Sequence, residues 1–173
     1  LHFRKPNRSY EPFNDIKNRG QTNNLLTAGY QRKALEAVEP TNEPTVEATA
    51  QVSPTPAGLP LDLRNSLFDQ PRLPDSVLKV QAPARVSGLL PFHIIFDCTF
   101  ANDQQQFSGA YLYVRDSHIV LVPEFEDLDG NLESRNRKSH VQLEIPGGTI
   151  KPGTYQVLLI GGKSSLTWAL QVN

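Results

Sequence analysis

A chain of 173 residues has room for one domain and an appendage. Only 38% of it is hydrophobic and its mean hydropathy is -0.40. Both values are low for a compact domain, which carries about 45–50% apolar residues with glycine counted, and they favour one well-packed part beside one that is hardly packed. The net charge of -1 is split between a basic N-terminal stretch and an acidic remainder, and the single cysteine, Cys98, excludes an intrachain disulfide and a cysteine-built metal centre.

Residues 1–33 form the basic stretch. Arg4, Lys5, Arg8, Lys17, Arg19, Arg32 and Lys33 stand against Glu11 and Asp15, with Phe3, Tyr10, Phe13 and Tyr30 interleaved. Asn14, Asn18, Asn23 and Asn24 interrupt any periodicity, so the stretch reads as an irregular arm. A weak helical pattern spans residues 28–38 through Ala28, Ala34, Leu35, Ala37 and Val38. No signal-peptide pattern opens the chain, and a start at Leu1 with no methionine anywhere reads as a processed or partial product. The longest apolar runs fall far short of the ~18 residues that a membrane-crossing helix needs.

Residues 34–76 change character. Glu36, Glu39, Glu43 and Glu47 come first with no lysine or arginine among them, followed by a stretch of Pro, Thr, Ala and Ser. Such a composition buries too little apolar surface to offset chain entropy and reads as an extended linker. Leu61, Leu63, Leu67 and Phe68 could dock on a neighbouring surface, while Pro71 and Pro74 prevent a continuous element.

From Val77 onward the pattern has period two. Phe92, Ile94, Phe96, Cys98 and Phe100 alternate with His93, Ile95, Asp97 and Thr99, the mark of a strand with one face in a core. Further strands follow at 110–114, 119–122, 141–145, 155–159 and 166–172, with one more before them at 77–80 or 84–89. Asp116-Ser117, Asp129-Gly130, Gly147-Gly148 and Gly161-Gly162 supply the turns. About seven short strands with no convincing helix predict an all-β fold over residues 77–173, an antiparallel sandwich with Phe96 and Trp168 near its centre.

The run from Ile145 through Gly147, Gly148, Lys151, Pro152 and Gly153 to Tyr155, Gln156 and Val157 resembles the late-strand corner of immunoglobulin-like and fibronectin-like domains. In those domains a tyrosine just inside the penultimate strand caps the preceding turn with its hydroxyl. The resemblance covers residues 77–173 and implies an immunoglobulin-like sandwich, without the inter-sheet cysteine pair of antibody domains.

Candidate chemistry is sparse. Asp127, Asp129, Asn131 and Glu133 place oxygen ligands around Gly130 as a calcium loop would, but the glycine stands at position four where an EF-hand has it at six. Asp129-Gly130 is also a favoured hairpin turn. His2, His93, His118 and His140 have no partner at metal-ligand spacing. Cys98 is in phase with Phe96 and Phe100, where a free cysteine acts as a small hydrophobe. No catalytic, metal or cofactor-binding residue is assigned.

The arm is the informative polar feature. A sandwich head with a long arm and no constellation of base, nucleophile and stabiliser resembles the accessory or decoration proteins of virus and phage particles. That resemblance implies a non-enzymatic virion subunit, with Phe3, Arg4, Arg8, Tyr10, Phe13, Arg19 and Tyr30 as the residues that bind neighbouring subunits. The alternative is a cell-surface or extracellular module for adhesion or carbohydrate on a proline-rich stalk, with Tyr111 and Tyr113 stacking on sugars. Nucleic acid is disfavoured because the arm's charge is moderate and the rest of the chain is acidic.

Overall fold

The computed structural model describes residues 12–40, 49–128 and 137–173. Along them the chain forms α1 (Pro12–Thr27), β1 (Gln31–Val38), β2 (Ser53–Thr55), α2 (Leu61–Ser66), β3 (Ser76–Gln81), β4 (Arg85–Val86), β5 (Phe92–Thr99), β6 (Gln105–Arg115), β7 (His118–Asp127), β8 (Lys138–Ile145), β9 (Gly153–Leu159) and β10 (Ser165–Val172). The strands join one mixed sheet in the order β2-β10-β9-β7-β6-β1-β8-β5-β3, with β4 parallel to the end of β10.

The sheet curls at β1. Residues 31–35 of this strand pair with β6 and residues 36–38 pair with β8, both antiparallel. The curl brings β3, β5 and β8 over β6, β7, β9 and β10 around a shared core. Its centre is built from the alternation in the sequence: Ile94, Phe96 and Cys98 of β5 and Val141, Leu143 and Ile145 of β8 meet Leu112, Ile119, Leu121 and Trp168. Phe96 is fully buried and Trp168 is 2% exposed.

Every strand expected after residue 77 is present. At the corner preceding β9, the Tyr155 hydroxyl donates to the Lys151 carbonyl oxygen at 2.7 Å, four residues upstream. Two expectations need correction. The sheet is mixed and has ten strands among the described residues where about seven antiparallel ones were expected; β7 runs parallel to β9, and β4 to β10. The additional β1 and β2 come from the stretch expected to be arm and linker.

The second correction is the helix expected at 28–38. That segment is β1, and the helix lies upstream of it, at α1. Pro12 suits the first turn of α1, where a missing N–H costs nothing. Gly29, at φ +87°, stops the helix. The Tyr30 N–H donates to Leu25 O at 2.8 Å and the Gly29 N–H to Leu26 O at 3.0 Å, a Schellman motif whose apolar contact joins Leu25 and Tyr30. Past Gly29 the chain turns into the gap between two strand edges, and ladder pairing there outweighs the helical preference of Ala34, Leu35 and Ala37.

The outer face of β6, β7 and β9 carries a second core. Tyr113, Val120 and Val122 point away from the first core and meet Leu25, Tyr30, Leu63 and Leu67 from α1, α2 and their flanks. The reason is visible in β7: all four residues 119–122 are at most 1% exposed, so both faces of this strand must be covered. The segments expected to trail as an arm supply that cover.

Candidate functional site

The candidate site is the place where the N-terminal segment fastens to the sheet. It starts with Tyr30, which the Schellman turn aims at the outer face. The Tyr30 ring is 2% exposed and meets Tyr113 edge-on, with centroids 6.4 Å apart and planes at 88°. The Arg115 guanidinium, at the end of β6, lies 4.5 Å from the Tyr30 ring centroid. Arg115 pairs with Asp62 of α2 and donates to the Ala28 carbonyl at 3.5 Å. The Tyr30 hydroxyl donates to Asp62 Oδ1 at 3.4 Å. One cluster thus joins the end of α1, the start of α2 and the β6–β7 hairpin.

The electrostatics fit a fastening. Burial, and then the nearby Asp62 carboxylate, push the Tyr30 hydroxyl above its ordinary range against the pull of Arg115. Burial would raise Asp62, but hydrogen bonds from Arg115 and from the backbone outweigh it and hold the carboxyl low. The hydrogen bond to Asp62 in turn raises Arg115. Both partners therefore stay charged near neutral pH.

A second contact lies further along the same face. Arg32 of β1 stands 4.0 Å from the Tyr111 ring centroid, and Tyr111 tilts against Tyr113 at 6.4 Å. Burial pushes the Tyr113 hydroxyl up to about 12. The tyrosines expected to stack on sugars do share one face, but Tyr113 is 3% exposed beneath the N-terminal segment and Tyr111 carries Arg32.

Beyond the other end of β1, Glu39 borders an open hollow of about 690 Å³ with Asp97, Thr99, Phe100, Arg137, Lys138 and His140. Register places Asp97 opposite His140 and Thr99 opposite Lys138. The Asp97 carboxylate is 2.5 Å from His140 Nδ1 and 3.2 Å from Lys138 Nζ. Burial pushes Asp97 up, yet hydrogen bonds from His140 and Lys138 reverse the effect and hold it below its ordinary 3.8. Arg137 Nε pairs with Asp103 at 3.0 Å. Cys98, next to Asp97 on β5, turns its thiol into the core, where burial raises it to about 12.

Of the residues expected to bind neighbours, Phe3, Arg4, Arg8 and Tyr10 lie outside the described residues, and Phe13 falls within α1. Arg19 is exposed on α1. The Tyr30 ring is seated in this chain's own second core, where β6 and β7 need cover. Asp62 and Arg115 carried no local signal in the sequence. Most of the expected calcium loop, residues 129–133, lies outside the described residues, and Asp127 pairs with Arg72. Among the described residues no three His, Cys, Asp or Glu side chains gather as metal ligands would, and no helix is long and apolar enough to cross a membrane.

The layer formed by α1 and α2 leaves Leu26 (62%), Leu61 (69%) and Phe68 (48%) exposed. Phe68 is tied to α1 by its N–H, which donates to Gln21 Oε1 at 3.2 Å. Comparison with protein-family models, with curated proteins and with solved structures finds no match.

Proposed function

We propose that the protein is a non-enzymatic structural subunit of a large assembly, of the virion accessory or decoration type. In this reading the N-terminal residues 1–11 bind neighbouring subunits and the curled sheet is an immunoglobulin-like head displayed outward. The hydroxyl-capped turn at Tyr155 and the core shared by the two halves of the sheet support the immunoglobulin-like part.

One observation carries the assembly part. The segment leading out of residues 1–11 is fastened to the outer face of the head, while Leu26, Leu61 and Phe68 of the same layer remain exposed. Phe3, Arg4, Arg8 and Tyr10 precede that fastened segment in the sequence. Apolar side chains of that size, gathered on one layer, are what an interface core uses. The ion pairs of the described residues also fit a scaffold. Arg72–Asp127, Lys163–Asp75 and Arg115–Asp62 each join segments far apart in sequence.

The fold dictates where the test must cut. Removing residues 1–60 would also remove Leu25, Tyr30 and Leu35, all buried, and leave β6 and β8 with open edges. Removing residues 1–11 spares every one of these. Tagged full-length and 1–11-deleted chains, expressed in the native host, should separate on a sedimentation gradient. The full chain is expected in fast-sedimenting, megadalton fractions and the deletion near the top. Identical profiles would overturn the assembly reading.

A further inference from the structure

We infer that the loop between β4 and β5 is a lipid-contact site, which seats Leu89 and Leu90 in the interfacial region of an anionic bilayer. The inference goes beyond the assembly reading and uses none of the residues that carry it.

The two leucines stand at the tip of the loop formed by residues 87–91. Leu89 is 87% exposed and Leu90 64%, although the main chain around them is closely fastened. The Leu90 N–H donates to Ser87 O at 3.3 Å, the Gly88 N–H to Asn173 O at 3.0 Å and the Gly148 N–H to Gly88 O at 2.6 Å. The Leu89 N–H donates to Ser87 Oγ at 3.2 Å. The turn at residues 147–150 fills the space beneath. A Cβ on Gly147 would collide with the Leu89 carbonyl, and one on Gly88 would press on Val172 and on the Ile150 carbonyl. Pro91 fixes the exit into β5. The leucines are thus held outward by the main chain, and neither joins either core. A loop fixed in this way loses little further freedom when its tip enters a partner.

Charge selects the partner. Arg85 lies four residues before Leu89, and Lys151 follows Ile150, against whose carbonyl Gly88 packs. Both cations are exposed, and among the described residues neither is in an ion pair. The loop and the turn beneath it belong to residues 76–96 and 145–173. These stretches contain Lys79, Arg85, Lys151 and Lys163 and no aspartate or glutamate, in a chain of net charge -1. The result is an aliphatic tip with unpaired cations at its base. A bilayer with acidic headgroups matches both parts: its acyl boundary takes the leucines and its headgroups take Arg85 and Lys151. A protruding tip enters such a fluid medium without a complementary pocket. Two side chains reach only the interface, so the contact is peripheral and reversible.

The test is co-sedimentation of the full chain with vesicles, either of phosphatidylcholine alone or of phosphatidylcholine and phosphatidylserine in equal parts. Binding to the mixed vesicles, weakened by salt, is expected. Leu89→Ser with Leu90→Ser should weaken it at least about tenfold, from the lost apolar burial. Arg85→Gln with Lys151→Gln should weaken it about fivefold per cation. The altered side chains are exposed, so both variants should melt with the wild type. A Leu89→Cys chain carrying a polarity-sensitive dye should shift to the blue on the mixed vesicles; native Cys98 is fully buried and stays unlabelled. Deleting residues 1–11 removes Arg4, Lys5 and Arg8 and should leave this shift in place. No binding to the mixed vesicles, or binding unchanged by the leucine variant, overturns the proposal. If the leucine variant instead drops out of the megadalton fractions while vesicles bind neither chain, the tip serves a protein neighbour and the proposal is overturned. The assembly reading falls only with the 1–11 deletion profile, so the two failures are distinct.

Discussion

Tyr30→Ala separates a docked N-terminal segment from a tail that merely precedes a domain. The ring is 2% exposed, in edge-to-face contact with Tyr113 and roofed by Arg115. Truncating a fully buried aromatic side chain costs about 3–5 kcal/mol, from lost burial and the cavity left behind. About 0.5–1.5 kcal/mol of that resides in the aromatic pair itself. The one tryptophan, Trp168, is 2% exposed in the first core and reports global unfolding by fluorescence. With a urea slope of about 2 kcal/mol/M, the midpoint should fall by about 1.5–2.5 M with the slope unchanged. Tyr30→Phe removes only a hydroxyl 3.4 Å from Asp62 and should cost about 0.5 kcal/mol, the weak end of the hydrogen-bond range. In a double-mutant cycle with Tyr113→Ala, the coupling should be about 0.5–1.5 kcal/mol. A Tyr30→Ala chain within about 0.5 kcal/mol of wild type, the range of ordinary surface substitutions, would refute the docking and return Tyr30 to the partner-binding set.

Three further outcomes are expected. Tyr155→Phe removes the 2.7 Å hydrogen bond to the Lys151 carbonyl and should cost about 1 kcal/mol, a fall of about 2–4 °C in melting temperature; an unchanged melt would remove the corner from the stability account. The Asp97 carboxyl is held below its ordinary 3.8 in the folded chain by His140 and Lys138 against the effect of burial. A carboxyl that is more acidic folded than unfolded contributes stability above that ordinary value and loses it as pH falls through the folded one. Asp97→Asn should therefore lower stability at pH 7 and flatten the acid limb below about pH 4, read from urea midpoints across pH; a limb as steep as wild type would sink the assignment. The Cys98 thiol, pushed up to about 12 and fully buried, should resist alkylation at pH 8 until the chain is denatured; rapid labelling of the native protein would contradict its place in the core.

The strands after residue 77 were legible because each has one face in a core, and period two records that directly. What the alternation cannot record is a partner far along the chain. Gln31–Val38 has a helix-like scatter of Ala, Leu and Glu, and its strand character comes from two ladders, one with residues 110–114 and one with 142–144. Ser53–Thr55 contains Pro54, which cannot donate to a ladder, so such a segment reads as linker and fits only at the sheet's edge, where it is found. The residues at 119–122 did hold a usable signal. An apolar side chain at every position, in both phases, means that the strand is covered twice. With β3, β5 and β8 covering one face, the other cover had to come from residues before 77.

The charges of the hollow also pair residues far apart along the chain. An aspartate that orients a histidine is half of a nucleophile-activating arrangement, and the third member must lie within hydrogen-bond reach of the imidazole. The nearest thiol in sequence, Cys98, belongs to the opposite face of β5 from Asp97, because successive side chains on a strand alternate. Its buried thiol has no cation to lower it and is raised instead. Asp97 meanwhile answers to two cations from a single neighbouring strand, Lys138 and His140, which stitches β5 to β8 beside the end of β1. Glu39 borders the same hollow, immediately after β1. A charge cluster at the end of an inserted strand, matched by Asp62 and Arg115 near its start, acts on where that strand sits. The two clusters can register β1 in its groove, and a register set at both ends is what a strand with one buried side chain needs.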